Sequence, residues 1–460
     1  MGNTFSENNS GQVQEEVKYN SRQIFNSDVT KCMSTIFKFN PQNFDVQEIL
    51  GIILQFIENH EKEANEYSKK TGNNDMNRIR KRLRVRLHNE LIPYLQYIDT
   101  KKVQGEIARG SFGAIYKIKK QNPTEKSKVL KVPLGDDQDF LLEVISMIVY
   151  QCYKNQIMQY VPRTTGFRWP FPTIYSCYKF FDHNNDMNRL CTEIERVATD
   201  CWSLVPPVIN SDPSNKESVL NPKHPNNPNN PNSPINPNNF DPYQYTINTY
   251  MSALVQVTIA LHGLQSAMNF THRDLHGGNV MINYEKQNKT REYKLANETI
   301  TVTSNIKIYI IDLGQSCAAI SRCLEQCDRS AFMEAPASSY DFKAYGQNSI
   351  DGCFKMGYDL RLFAGSLSYY YLYYQYKLNN MTSNDMRTFV QQSSHNFSQL
   401  DVLMIKLYIY AYDGLTLTSQ SVWHNLYRAI YMKEKRNNIF KPEFFFKFLA
   451  NFGDNKTYPI

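Results

Sequence analysis

The 460-residue sequence has no long hydrophobic run: no window approaches the roughly 18 consecutive apolar residues that a membrane-spanning helix requires. It also lacks a secretory signal peptide, so we expect a cytoplasmic protein. Its nine cysteines follow no regular framework, and the four between residues 317 and 353 lack the tight pairs typical of zinc sites. These absences predict free thiols in a reducing compartment.

Charge of one sign is only slightly in excess, with 51 Lys and Arg against 44 Asp and Glu and a formal net charge of +7. This mild basic bias suits phosphate ligands or an anionic membrane surface, and it does not indicate nucleic-acid binding. The hydrophobic share of 41% is enough for a sizeable core. The length favours two lobes, or a domain with appendages, over one compact core.

The N-terminal 40 residues are polar and predict a flexible segment, followed by a helical extension over residues 41–100. The opening MGNTFS matches the N-myristoylation pattern through Gly2 and Ser6, although a disordered polar terminus explains it equally simply. One acyl chain holds a membrane only marginally, so the basic helix at 78–87 would be the second signal. The alternative is that these charges form the solvated face of a helix packed on the next domain.

From residue 103 onward, the pattern changes to short strands with turns, and helical spacing dominates after residue 245. Together these patterns predict an α+β fold. Residues 210–242 include a proline- and asparagine-rich tract, which cannot continue a helix or a strand and predicts an exposed insertion. Residues 285–305 predict an extended hairpin inserted between two strands.

A glycine-rich stretch, IARGSFGAIYKI, is the first candidate for phosphate binding. Gly110 and Gly113 permit a tight strand-turn-strand whose amides can approach phosphate, and Ile115 would cover a purine. Glycine alone is weak evidence, since many hairpins contain it. Lys131, in the apolar strand KVLKVP, needs an anionic partner. Glu143 on the following amphipathic helix is the candidate; the alternative is an exposed helix glutamate.

A second group of residues carries acids and an amide at fixed spacing. In THRDLHGGNVMINY, Asp274 could accept a hydrogen bond from a substrate hydroxyl, and Asn279 could offer its side-chain oxygen to magnesium. Downstream, the apolar strand IKIYII ends in Asp312, followed by Leu313 and Gly314. An acid at the end of a buried strand suits a metal ligand at the rim of a cleft. An ordinary polar loop would not predict this second acidic site.

The motifs GSFGAIYK, KVLKVP, HRDLHGGN, DLG and YDLRLFAGSL, in this order, resemble the eukaryotic-type protein kinase family from about residue 103 onward. With its asparagine-rich runs, the chain is similar to serine/threonine kinases of large DNA viruses or AT-rich protists. The resemblance implies a bilobal fold, with a small β-rich N-lobe at 103–197, a hinge near 194–197 and a larger, mostly helical C-lobe at 198–460. It implies that Asp359 anchors the catalytic loop.

The resemblance also implies an enzyme that uses ATP and magnesium to phosphorylate a protein hydroxyl, most simply that of serine or threonine. Asp274 would be the catalytic base, acting with Lys131 and Asn279, and magnesium would be held by Asn279 and Asp312. The residues around the nucleotide would be Ala108, Gly110, Ser111, Gly113, Ile115, Lys131 and Glu143. The protein substrate is not specified by any motif.

Three departures from the family pattern keep alternatives open. Ala108 replaces the first glycine of the loop, His276 stands where serine/threonine kinases usually carry lysine, and no clear APE motif follows Gly314. One alternative is a pseudokinase or scaffold that binds nucleotide or a partner without useful turnover. Another is a small-molecule or lipid kinase on the same fold. For location, membrane attachment and packaging in a virion are the alternatives to a purely cytoplasmic protein.

Overall fold

The computed structural model describes 284 of the 460 residues. The described ranges are 27–39, 51–53, 66, 69–71, 76–109, 113–120, 122, 125–134, 137–162, 166–183, 185–204, 242–318, 333–334, 357–376, 378, 381–393, 396–413 and 438–453. The predictions for Gly2, Gly110, Ser111 and nearly all of the insertion at 210–242 lie outside the described residues.

An antiparallel sheet with the strand order β1-β2-β3-β5-β4 follows the N-terminal extension. Its strands are β1 Val103–Arg109, β2 Gly113–Ile118, β3 Lys128–Pro133, β4 Ile174–Asp182 and β5 Met187–Glu195. The apolar residues Val129 and Leu130 of β3 are buried, as expected for a central strand. The register places Lys131 opposite Ile115 of β2 on one side and opposite Thr192 of β5 on the other.

Three helices accompany this sheet. They are α1 Ser27–Ile36, α2 Met76–Leu91 and α3 Asp137–Cys152. Helix α3 packs against β4 and β5, and it buries Leu141, Val144 and Ile148 at helical spacing. In α2, Leu87 and Leu91 are buried while Arg82 and Arg86 are exposed, which is the arrangement of a helix packed by its apolar face.

The second half of the fold is mostly helical around one long hairpin. The helices are α4 Lys154–Tyr160, α5 Pro242–Met268, α6 Tyr358–Tyr376, α7 Ser383–Gln392, α8 Gln399–Ala411 and α9 Pro442–Gly453. Strands β6 Thr199–Asp200, β7 Val280–Leu295 and β8 Glu298–Ile310 form an antiparallel sheet, and a short pair, β9 Cys317–Ala318 and β10 Met333–Glu334, follows. The β7–β8 hairpin turns at Ala296 and Asn297, both at positive φ, and packs on α5.

The chain is therefore a mixed α and β protein with a small antiparallel sheet and many helices, in agreement with the α+β class expected from its sequence. The core is continuous from α1 through α3 and α5 to α9. Among the helices of the described residues, none is both long and apolar enough to cross a membrane.

Two expectations for the N-terminal region differ from the structure. Residues 27–39 were expected to be flexible, but Val29, Met33 and Ile36 recur at helical spacing and are buried in α1. The cysteines were expected to be free thiols, and this is wrong for one pair. Cys32 in α1 and Cys152 at the end of α3 form a disulfide with Cα atoms 5.6 Å apart. The two errors are linked: if residues 27–39 were flexible, Cys32 would have no fixed neighbour and no disulfide partner could be predicted for it.

Candidate functional site

A cleft lies between the five-stranded sheet and the β7–β8 hairpin. Its walls are mainly apolar, and its volume is about 260 Å³, near the lower end of the roughly 300–1,000 Å³ of small-molecule sites. Three elements form one wall, through Ile115 of β2, Val129 of β3 and Met147 of α3. Met281 of β7 and Ile311, just after β8, form the other. The cleft can thus hold a flat apolar group between two walls.

The predicted nucleotide-binding residues that the structure describes lie in this region. Ala108, Ile115, Lys131 and Glu143 line the cleft, and Gly113 pairs with Pro133 at the start of β2. A Cβ added at Gly113 would lie 3.2 Å from the Val132 carbonyl oxygen, so the strands approach closely at this point. The described ends of the glycine-rich stretch, Ala108 and Ile115, therefore line the cleft.

Lys131 and Glu143 form an ion pair at the inner end of the cleft. The Lys131 Nζ atom donates to Glu143 Oε1 at 2.7 Å and to Oε2 at 2.6 Å. The two side chains are 20% and 9% exposed. Burial disfavours the Lys131 ammonium, but the carboxylates of Glu143 and Asp312 outweigh this effect and raise the pKa of Lys131. A buried ion pair is weak evidence for stability, and its place in a cleft makes Lys131 and Glu143 candidate functional residues.

The loop from Thr271 to Asn279 is held from within by Asp359 of α6. The Asp359 carboxylate is 1% exposed and accepts the backbone N–H of His272 at 2.8 Å and of Arg273 at 2.9 Å. The His272 ring bonds the Ile311 carbonyl oxygen at 2.8 Å, which ties the loop to the residue before Asp312. Arg273 adopts a left-handed conformation with φ 71°. Contacts with distant parts of the chain therefore fix a backbone that a free loop would rarely adopt.

Asp274, Asn279 and Asp312 lie next to one another, and Asp312 directly follows Ile311 of the cleft wall. The Asn279 side-chain amide donates to the Asp274 carbonyl oxygen at 2.8 Å, which orients the Asn279 side chain. Asp312 follows β8 in a left-handed conformation with φ 61°, and the next residue, Leu313, is buried. Burial, followed by repulsion from Asp312, raises the pKa of Asp274 to about 8. The two carboxylates are thus close enough to repel each other.

Oxygen donors at this position suit magnesium. Magnesium is usually held by one or two carboxylates together with phosphate oxygens, rather than by a complete set of protein ligands. Asp312 and Asn279 supply a carboxylate and an amide oxygen of this kind. Within the described ranges, no cluster of three or more His, Cys, Asp or Glu forms a self-sufficient metal site. The residues therefore fit a cation that arrives with a phosphate ligand.

His276 lies beside Asp274 as a neutral imidazole. The backbone N–H of Gly278 donates to His276 Nδ1 at 3.0 Å, so the ring proton belongs on Nε2, which is 3.8 Å from Asp274 Oδ1. Burial and the neighbouring His272 lower the pKa of His276 to about 4. This chain therefore presents an uncharged imidazole beside Asp274.

The sequence does not indicate the contacts that hold residues 195–198, at and after the end of β5, beside the cleft. Glu195 accepts the Tyr309 hydroxyl at 2.8 Å, and its other oxygen accepts the N–H and hydroxyl of Thr173, both at 3.2 Å. The backbone N–H of Ala198 donates to the Asn283 side-chain oxygen at 2.6 Å. These partners are separated by 22 to 114 residues, so no local pattern indicates them.

Comparison with known proteins did not identify a family. A scan against models of protein families gave no match, and a search of curated proteins found none with significant similarity. A function for the cleft therefore has to be inferred from the geometry of these residues.

Proposed function

We propose that the chain is an ATP- and magnesium-dependent protein kinase that transfers the γ-phosphate to a protein hydroxyl of serine or threonine. On this proposal the five-stranded sheet and α3 are the N-lobe of a bilobal kinase fold, and the elements after residue 198 are the C-lobe. The observation that carries it is that Asp274, Asn279 and Asp312 lie next to one another, with Asp312 near the Lys131–Glu143 ion pair of the cleft. These residues come from four separate segments of the chain.

The apolar part of the cleft would hold the adenine. Ile115 and Val129 on one wall and Met281 on the other offer flat apolar contacts, and the backbone after β5 supplies hydrogen-bonding groups. Lys131 would bind phosphate oxygens, because Glu143 holds its ammonium in place and keeps it charged. An ammonium fixed in this way does not need to reorganise when a phosphate arrives.

Asp312 and Asn279 would hold magnesium. Bound there, the cation would neutralise charge on the phosphates and offset the Asp312 charge that raises the pKa of Asp274. Asp274 would then accept a hydrogen bond from the substrate hydroxyl and orient it. As the hydroxyl oxygen bonds to the γ-phosphorus, the bond to the β–γ bridging oxygen breaks, ADP leaves and the proton passes to Asp274. His276, neutral and with its Nε2 atom 3.8 Å from Asp274 Oδ1, would add no charge beside the base.

Single-turnover transfer from labelled ATP with magnesium tests this proposal. The acceptors should be a generic basic protein, the chain itself and a lipid mixture, and the wild type should be compared with Asp274→Asn. Asp385→Asn is the matched control, because Asp385 is an exposed carboxylate in α7, remote in sequence from the site. We expect labelled protein with the wild type and Asp385→Asn, and a loss of at least a hundredfold with Asp274→Asn.

The acceptors also separate the alternatives. Label that appears in lipid and not in protein would replace the proposal by a lipid kinase. If nothing is labelled while ATP still raises the melting temperature, the proposed catalysis is wrong and a nucleotide-binding scaffold takes its place.

A further inference from the structure

The described residues before β1, which include α1 and α2 and are here called the N-terminal extension, pack against α3, the helix that carries Glu143. Helix α1 contacts α3 and β4, and α2 contacts α3. Met33 and Phe37, in and after α1, are each 1% exposed, as is Leu91 of α2. These side chains belong to the same core as the apolar residues of α3. The extension is thus packed against α3 as part of the fold.

The extension is also hydrogen-bonded to the edge strand of the sheet. The backbone N–H of Lys38 donates to the Cys177 carbonyl oxygen at 3.1 Å, and the N–H of Gln96 donates to the Lys38 carbonyl oxygen at 2.7 Å. Lys179 of β4 exchanges bonds with this segment, donating to Gln96 and accepting from Ile98, both at 2.9 Å. Residues 37–39, which follow α1, and residues 95–98 are therefore attached to β4 by backbone hydrogen bonds.

The last turn of α3 makes three separate attachments. The Gln151 side chain pairs with both backbone groups of Ile174 at the start of β4, at 2.7 and 2.9 Å. The Tyr150 hydroxyl lies 3.4 Å from the Ser316 hydroxyl, four residues after Asp312. Cys152 is bonded to Cys32 of α1. One helical turn thus joins the sheet, the segment after Asp312 and the N-terminal extension.

Accessibility distinguishes this disulfide from the three free thiols among the described side chains. Cys32 and Cys152 are each partly exposed residues, and thiol–disulfide exchange requires such access. The free cysteines Cys177, Cys191 and Cys201 are fully buried, and burial raises the pKa of each thiol, which keeps it unreactive.

We propose that the Cys32–Cys152 disulfide is a redox-controlled latch that holds α3 in the position where Glu143 pairs with Lys131. The effect on catalysis rests on the proposed kinase function, whereas the effect on α3 does not. To open the latch, a dithiol reductant attacks one sulfur as a thiolate, the S–S bond breaks, and the mixed disulfide resolves to two protein thiols and the oxidised reductant. Two electrons and two protons pass to the protein, and an oxidant of the disulfide class reverses the exchange.

The latch acts by restricting the end of α3. With the bond closed, α1 and α3 cannot separate. Because residues 37–39 and 95–98 are hydrogen-bonded to β4, α3 is then also held in place relative to the sheet that carries Lys131. With the bond open, α3 keeps its apolar contacts but loses its covalent attachment nine residues beyond Glu143. We expect the Lys131–Glu143 pair to be populated less often in the reduced protein.

The experiment uses the full chain in oxidised form and after treatment with dithiothreitol. Peptide mapping under non-reducing conditions should find the Cys32–Cys152 link in the oxidised form. Hydrogen exchange of residues 137–152 should then be slower than in the reduced form, and single-turnover transfer at least threefold faster. Cys32→Ser and Cys152→Ser should each behave like the reduced wild type and show no response to dithiothreitol.

The hydrogen-exchange readout separates the two proposals. If exchange in α3 responds to reduction but no form transfers phosphate, the latch stands and the kinase function fails. A missing link in the oxidised chain, or a link whose reduction leaves exchange in α3 unchanged, overturns the latch. Phosphate transfer that is equal in both forms overturns its role in catalysis.

Discussion

Asp359 holds the Thr271–Asn279 loop from the interior, and replacing it with asparagine tests that attachment. Its carboxylate, 1% exposed in α6, accepts the backbone N–H groups of His272 and Arg273 at 2.8 and 2.9 Å. Asparagine has nearly the same volume but only one acceptor oxygen. One of the two backbone N–H groups would therefore face the NH₂ group of the asparagine side chain, which is a donor and cannot accept a hydrogen bond. The variant therefore removes hydrogen bonding with little change in packing.

The size of the effect follows from the two hydrogen bonds. A hydrogen bond to a charged group contributes roughly 1.5–3 kcal/mol, and a buried donor left without an acceptor costs roughly 1–3 kcal/mol. Burial raises the pKa of Asp359 even though His272 and Arg273 favour its charged form, so part of their energy offsets desolvation. We therefore expect Asp359→Asn to lower the free energy of unfolding by about 2–4 kcal/mol.

Urea unfolding followed by tryptophan fluorescence measures this change, and the transfer assay measures its effect on the site. Asp385→Asn is the control, because Asp385 accepts the backbone N–H of Thr382 at 2.8 Å at the exposed start of α7. We expect a smaller loss of stability for the control, and a loss of transfer for Asp359→Asn alone. A change below about 1 kcal/mol for Asp359→Asn, or one equal to that of the control, would refute the reasoning and leave the His272–Ile311 contact as what holds the loop.

Two further predictions concern ionisation and backbone conformation. Because the pKa of Asp274 is raised to about 8, the folded protein keeps a proton that the unfolded chain releases near pH 4, so wild-type stability falls as pH rises between these values. In metal-free buffer, Asp274→Asn should therefore gain stability relative to the wild type from pH 5 to pH 8, by on the order of a few kcal/mol; a constant difference across this range would contradict the shift. Gly166 has φ +95°, and a Cβ there would lie 2.4 Å from the Tyr293 ring. Thermal and urea unfolding should show Gly166→Ala destabilised by roughly 2–5 kcal/mol, and an unchanged midpoint would show that the ring moves aside freely.

Much of the candidate site could be predicted from short segments of the sequence, because the neighbours of a residue in its own strand or helix indicate its environment. Lys131 stands among apolar strand residues and needs an anionic partner, and the structure gives it Glu143. Asp312 lies two residues after the end of the apolar strand β8, and the end of a strand lies at the rim of its sheet. The neutral state of His276 could not be predicted, because it depends on the Gly278 N–H and on burial by surrounding elements.

The N-terminal extension shows the opposite case. Its polar first residues suggested flexibility as far as residue 40, although Val29, Met33 and Ile36 already had helical spacing. Three apolar residues in one short helix give a weak signal, since an isolated helix of ten residues is marginal in water. Packing on α3 and β4 stabilises it, and the residues of that surface lie more than 100 positions further along the chain.

By itself the sequence determined the mixed α and β class, the order of the motifs and the residue types available for chemistry. Those properties depend on spacing along the chain, which fixes which face of a strand or helix is apolar. The tertiary structure alone decided that Cys32 meets Cys152, that Asp359 binds the loop near His272, and that Glu195 accepts from Tyr309. These partners are 87 to 120 residues apart, and their meeting depends on how whole elements pack around a common core, which no local pattern contains.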